Sequence, residues 1–159
     1  MFNAKEREDL MKLVNMLFID ECLYLKPFNL AIESFDVDGA SMRFTMSDLL
    51  IGSKKNPQLH GGAVATILDT VGTLPVFIRM INAIKGESIF DRVQKMEEDQ
   101  SRLGTIDLRI DYLRPGRGRY FIAKSLVLRT GSIIAVTRME LENDEKKLIA
   151  VGTGTYVVG

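Results

Sequence analysis

Apolar residues recur at helical spacing over residues 4–25: Leu10, Leu13, Val14, Leu17 and Phe18, then Cys22 and Leu25 on the same face. Lys5, Glu6, Glu8, Asp9, Lys12 and Asp20 take much of the rest. The pattern predicts an amphipathic helix, with Pro27 beyond its end. Two further runs, NLAIESF and ASMRFTM, flank Asp36-Val37-Asp38-Gly39. The Asp-Gly pair suits a turn, so residues 30–46 read as a hairpin. The polar stretch GSKKNPQ at 52–58 reads as a loop.

Residues 61–83 are apolar enough for a buried helix, and Pro75 inside them removes a hydrogen bond to Val71, so a kink or break is expected there. Residues 87–102 read as a charged helix with Ile89, Val93 and Met96 on one side. The pattern then changes period. TIDLRIDYL (105–113), RYFIAKSLVLRT (119–130), SIIAVTRMELEN (132–143) and KLIAVGTGTYVVG (147–159) read as strands. The joins carry turn residues: Pro115-Gly116-Arg117-Gly118, Thr130-Gly131 and Asn143-Asp144-Glu145-Lys146. The expectation is an antiparallel meander. Its apolar face needs a cover, and helix 61–83 is the candidate. The class is α+β, one domain over 1–159 with residues 1–27 as an N-terminal helical extension.

Composition narrows the function. Lys plus Arg and Asp plus Glu both count 21, so there is no basic excess to suggest nucleic-acid binding. The apolar runs are interrupted by Asp69, Arg79 or Lys85, so no membrane span is expected. MFNAKEREDL is charged and lacks the apolar core of an export signal, which points to a soluble cytoplasmic protein. With one cysteine, Cys22, and one histidine, His60, neither an intramolecular disulfide nor a zinc site is expected.

The chemistry gathers in LHGGAVATILDTVG, residues 59–72. On a helix, Val64, Ile67, Leu68 and Val71 form a bulky stripe suited to a sheet. Gly62, Ala65, Thr66, Asp69, Gly72 and Thr73 form a face of small groups with one acid. A carboxylate there needs a partner, either in helix–helix packing or in catalysis. At the helix start, free N–H groups and the helix dipole suit an oxyanion or a polarised carbonyl, and Gly61 and Gly62 let a ligand approach. The glycines also suit simple close packing, and His60 suits a helix cap as well as a base. Gly61 and Asp69 lie eight residues apart, so their axial separation is about 12 Å. If both serve one carbonyl, two helices must run antiparallel across a two-fold axis, with Gly61 of one subunit facing Asp69 of the other.

His60-Gly61-Gly62 followed by Asp69, together with GTIDLRIDYLRPGRG at 104–118, resembles the hotdog-fold thioesterases of the PaaI-like type over roughly residues 28–158. The resemblance implies an antiparallel sheet wrapped around a long central helix, here with an extra N-terminal helix and a charged helix inserted. It implies hydrolysis of an acyl-CoA thioester. Gly61 would polarise the carbonyl through its N–H, and Asp69 would act as general base or nucleophile. Aligning on Asp107 and Tyr112 gives Thr105 the hydroxyl that holds the attacking water; an ordinary strand residue is the other reading of Thr105. Lys54 stands where many relatives carry asparagine, with Asn56 two residues on. No cofactor is implied, since coenzyme A is part of the substrate. Its phosphates want positive charge, for which Arg114, Arg117 and Arg119 are candidates, with Lys54 and Lys55 in reserve. A homodimer is implied, with a dimer of dimers open. Met11, Met16, Met42, Met46 and Met80 suit either core packing or a channel for medium-to-long aliphatic chains. A non-catalytic acyl-CoA-binding dimer, a hotdog dehydratase and a plain interaction module are the competing readings.

Overall fold

The computed structural model describes residues 2–98 and 102–159. Helix α1 (Ala4–Asn15) opens with a capping box: the Asn3 side chain accepts from the Glu6 N–H and the Glu6 carboxylate accepts from the Asn3 N–H. The sequence predicts one helix to residue 25. Instead the Asn15 amide donates to the Met11 carbonyl at 2.8 Å, the next turn widens into a π-helical turn (Met16–Asp20), and a 3-10 turn (Leu23–Phe28) follows with Pro27 inside it. A side-chain donor on a helical carbonyl competes with the regular ladder. The break re-aims the chain so that Leu25 and Phe28 are buried.

Strands β1 (Ala31–Phe35) and β2 (Gly39–Thr45) form the predicted hairpin; Asp36 closes its turn by accepting from the Asp38 and Gly39 N–H groups. Helix α2 (Gly61–Ala83) and helix α3 (Ile89–Glu98) follow. The expected helix at 87–102 ends partly outside the described residues. Ile89 is buried, with Val93 and Met96 beside it on the core. A 2.6 Å ion pair between Arg92 and Glu6, both mostly buried, ties α3 to α1.

The remaining strands are β3 (Leu103–Tyr112), β4 (Tyr120–Thr130), β5 (Ile134–Asn143) and β6 (Leu148–Val158). The six strands make one antiparallel sheet in the order β1-β2-β4-β5-β6-β3. The expected four-strand meander is therefore corrected: of its four strands β4, β5 and β6 are sequential neighbours, and β3 lies beyond β6 at the far edge. Residues 113–119 are a strap across the strand ends, not a hairpin turn. Leu113 and Arg114 N–H groups donate to the Ile149 carbonyl at 2.9 and 3.1 Å, and the Asn143 amide donates to the Arg117 carbonyl at 2.7 Å. Pro-Gly chemistry marked a change of direction there; it carried no information about which strand β3 would pair with.

Helix α2 runs under this sheet. Val64, Ile67, Leu68 and Val71 are buried against it, as the stripe predicts. The helix continues through Pro75. The Val71 carbonyl that Pro75 cannot reach accepts instead from the Ser125 hydroxyl at 2.7 Å. Helix α2 is long and apolar enough to cross a membrane, but most of its apolar stretch is buried inside the protein.

Candidate active site

The site begins where the 50–60 loop delivers the chain to α2. The His60 N–H donates to the Leu50 carbonyl at 2.8 Å and the Leu59 N–H to the Gly116 carbonyl at 2.9 Å. His60 is the N-cap, and its Nδ1 accepts from the Gly62 N–H at 2.9 Å. This bond leaves the imidazole proton on Nε2. A side chain at position 62 would crowd that ring, its Cβ lying 3.0 Å from Nδ1. Gly62 thus makes room for the cap. The N–H of Gly61, one residue before, donates to no acceptor among the described residues and lies at the positive end of the helix.

On the other side of Gly61 stands Tyr112, the last residue of β3. Its hydroxyl donates to the Gly61 carbonyl at 2.9 Å. Along the sequence Tyr112 serves only as a point of alignment; an aromatic residue at a strand end carries no sign of this contact.

Two turns further along α2, Asp69 is half-buried. The Thr105 hydroxyl donates to its two carboxylate oxygens at 2.9 and 3.2 Å. The pairing depends on an irregularity in β3 between Thr105 and Asp107. Thr105 is turned to α2 and Leu108 packs on the core, while Ile106 is left exposed. Beneath Asp69, Tyr156 is fully buried, its hydroxyl 3.4 Å from the Asp69 carbonyl. Burial, with the Asp69 carboxylate beside it, pushes the phenol well above its ordinary range. Gly72, expected on the open small face, is instead buried against Tyr156, Thr137 and Met139. Gly62 is exposed, and Ala65, Thr66, Asp69 and Thr73 are half-buried.

The basic candidates lie on the strap. Arg114 donates to the Leu148 carbonyl at 2.9 Å, and Arg117 donates to the Asn56 side-chain oxygen at 2.6 Å. Asn56 therefore reaches the strap, not the helix start. Arg119 is bound to Asp144 at 2.8 Å, an interaction that holds the carboxyl below the usual carboxylate range. Lys54 and Lys55 are exposed in the 52–58 loop. A cleft of about 370 Å³ joins Gly61 and Tyr112 to Arg114 and Pro115. On the opposite flank of the first helical turn, a cleft of about 430 Å³ is lined by Gly62, Thr66, Tyr24 and Leu49 among others. No cluster of three or more metal-ligating side chains exists among the described residues.

Within one protomer, then, Thr105 and Asp69 come together, as do His60, Gly61 and Gly62; the two groups stay two helical turns apart.

A profile for the thioesterase superfamily matches residues 56–150. The chain is 36% identical, over 157 residues covering 96% of both chains, to the medium/long-chain acyl-CoA thioesterase YigI of Escherichia coli K12. A crystal structure of a thioesterase-superfamily protein from Shewanella oneidensis superposes with a TM-score of 0.84 at 37% identity, covering 99% of this chain and 100% of that one. A candidate thioesterase from Syntrophus aciditrophicus superposes with a TM-score of 0.83 at 31% identity, covering 98% of this chain and 100% of that one.

Proposed function

The chain belongs to the thioesterase superfamily and has its hotdog fold, and from that premise we propose that it hydrolyses medium- and long-chain acyl-CoA to free acid and CoA. The observation that carries the proposal is the pair of complementary groups on α2: a Gly61 N–H at its positive end with no acceptor among the described residues, and a Thr105-held carboxylate at Asp69. The chain length is taken from the activity named for the E. coli relative.

Asp69 takes a proton from water, and the oxygen attacks the thioester carbonyl. The Thr105 hydroxyl donates its hydrogen bond to Asp69, leaving its lone pairs free to accept from that water. The oxyanion is met by the Gly61 N–H and the helix dipole. Collapse breaks the C–S bond, and the departing thiolate takes the proton held by Asp69, which restores the carboxylate. Because Gly61 and Asp69 are about 12 Å apart along one helix, the acid comes from the partner subunit of a homodimer. The unpaired outer edge of β3, with Ile106, Tyr112 and Leu113 exposed, supports an interface on that side. Arg114 and Arg117 are the groups for the CoA phosphates, since Arg119 is already held by Asp144.

Thiol release from acyl-CoAs of four to sixteen carbons, with phenylacetyl- and benzoyl-CoA alongside, tests the proposal. Turnover on the longer aliphatic chains that collapses in Asp69→Asn is the expected result. Binding without turnover would make the protein a non-catalytic acyl-CoA-binding dimer.

A further inference from the structure

We infer that the acyl chain enters the cleft between the N-terminal extension and the first turn of α2, and that Leu23, Tyr24 and Leu49 set the chain length it accepts. The inference rests on the thioesterase reading above and adds to it the residues of chain-length selection.

One wall of this 430 Å³ cleft is the helix start, with His60, Gly62 and Thr66; the 3-10 turn and residues 49–51 supply the others. Leu23 and Tyr24 are each 72% exposed and Leu49 is 77% exposed. Three large apolar side chains gathered at one opening mark a surface that takes an apolar ligand. Each is presented by an anchored neighbour. Leu25 and Phe28 are buried, and Phe28 packs edge-on against Phe44 with ring centres 5.6 Å apart. Asn29, in the left-handed region at φ 46°, closes the 3-10 turn. Leu50 is buried and its carbonyl is held by the His60 N–H, which brings Leu49 beside the helix start.

The arrangement of the two clefts identifies the occupant. An acyl-CoA has an apolar arm and an anionic arm, joined at the thioester. The first turn of α2 divides an apolar cleft from one that carries Arg114. A carbonyl at the Gly61 N–H would send its acyl arm past Gly62 towards Leu49 and Tyr24, and its CoA arm past Tyr112 towards Arg114. A docked protein segment would account for the apolar rim but not for its union with the helix start.

The test uses CoA thioethers with alkyl chains of four, eight, twelve and sixteen carbons. Their binding is measured by calorimetry on wild type, Leu49→Trp, Tyr24→Ala and a control on the outer sheet face, Leu128→Ala. Turnover of the matching thioesters and oligomer mass are followed in parallel. In wild type and control, affinity should rise with chain length by up to about fourfold per buried methylene until the cleft is full. Leu49→Trp should stop that rise at a shorter chain, and Tyr24→Ala should extend or weaken it. Because thioether binding needs no hydrolysis, a wild type that binds in this way without turnover keeps the channel and removes the catalytic reading. Unchanged length profiles in both variants overturn the channel, whatever the turnover. A Leu49→Trp protein whose oligomer mass changes while its profile does not would also overturn it, and would make the cleft a subunit contact.

Discussion

The Thr105 hydroxyl lies within hydrogen-bonding distance of both carboxylate oxygens of Asp69, at 2.9 and 3.2 Å. The two residues come from an edge strand and a core helix, 36 positions apart in sequence. Thr105 is exposed and Asp69 half-buried, so the carboxylate is oriented by protein while still open to water. A general base needs this combination: fixed direction towards the substrate and access to the molecule it deprotonates.

Asp69→Asn keeps the size of the side chain and can still accept from Thr105, so folding and oligomer mass should match wild type. Loss of the base should lower kcat by at least about a hundredfold. Steady-state thiol release and sizing chromatography check both halves. A folded Asn variant with wild-type kcat would remove Asp69 from the mechanism.

Thr105→Val removes the hydroxyl and keeps the β-branched shape that a strand favours. A hydrogen bond to a charged group is worth about 1.5–3 kcal/mol, so kcat should fall by about ten- to a hundredfold, with a smaller change in KM. Thr105→Ser should recover most of the loss. Equal rates for Val and Thr enzymes would make Thr105 an ordinary strand residue.

The Thr105–Asp69 contact also marks how far the sequence could be read. The stripe Val64, Ile67, Leu68 and Val71 and the hairpin around Asp36–Gly39 follow from local periodicity and turn chemistry, and both were legible. The position of β3 was not, because pairing Thr105 with Tyr156 across the sheet edge depends on the strap over Ile149 and Asn143. Neither partner of that strap has a pattern visible along the chain. The break after Asn15 was hidden for a related reason: amphipathic spacing survived into a segment whose backbone follows Phe28 and Leu25 into the core. Among the candidate site residues, the His60 cap was legible from its place before an apolar run. The Tyr112 bond to Gly61 was not, since it is made across 51 positions.

His60 caps α2 through Nδ1, and removing a good cap costs about 0.5–2 kcal/mol. His60→Ala should therefore lower the melting temperature by a few degrees, at about 2–4 °C per kcal/mol for a chain of this size. Asparagine can accept from the same N–H, so His60→Asn should restore the melting temperature and, with it, activity. Recovered stability without recovered activity would instead give the imidazole a role in catalysis.

Gly72 is closed to any side chain. A Cβ there would collide with the Tyr156 hydroxyl and lie 2.9 Å from Thr137 Oγ1 and 3.0 Å from Met139 Sδ. Gly72→Ala should destabilise by about 1–3 kcal/mol, the usual cost of overpacking. Removing the hydroxyl with Tyr156→Phe should make the second substitution less costly, so the double variant should be more stable than the sum of the singles. Denaturant midpoints of the four proteins measure this directly; strict additivity would mean that the clash is relieved elsewhere.

Gly61→Pro deletes the one N–H at issue and little else. Proline is favoured at the first position of a helix. His60 already has the extended backbone, φ −62° and ψ 141°, that a following proline requires. The nearest atoms to a Cβ at position 61 are 3.6 Å away on Tyr112, an ordinary contact. The variant should fold, dimerise and lose about 10²–10³ in kcat, the scale for one oxyanion donor. Mixed with Asp69→Asn and refolded together, it gives a sharper result. If each site uses Gly61 of one subunit and Asp69 of the other, a mixed dimer holds one intact site and one doubly defective site. Random reassortment then restores about a quarter of wild-type activity from two inactive parents. If both residues served one site within a subunit, every site in the mixture would carry a lesion and no activity would return.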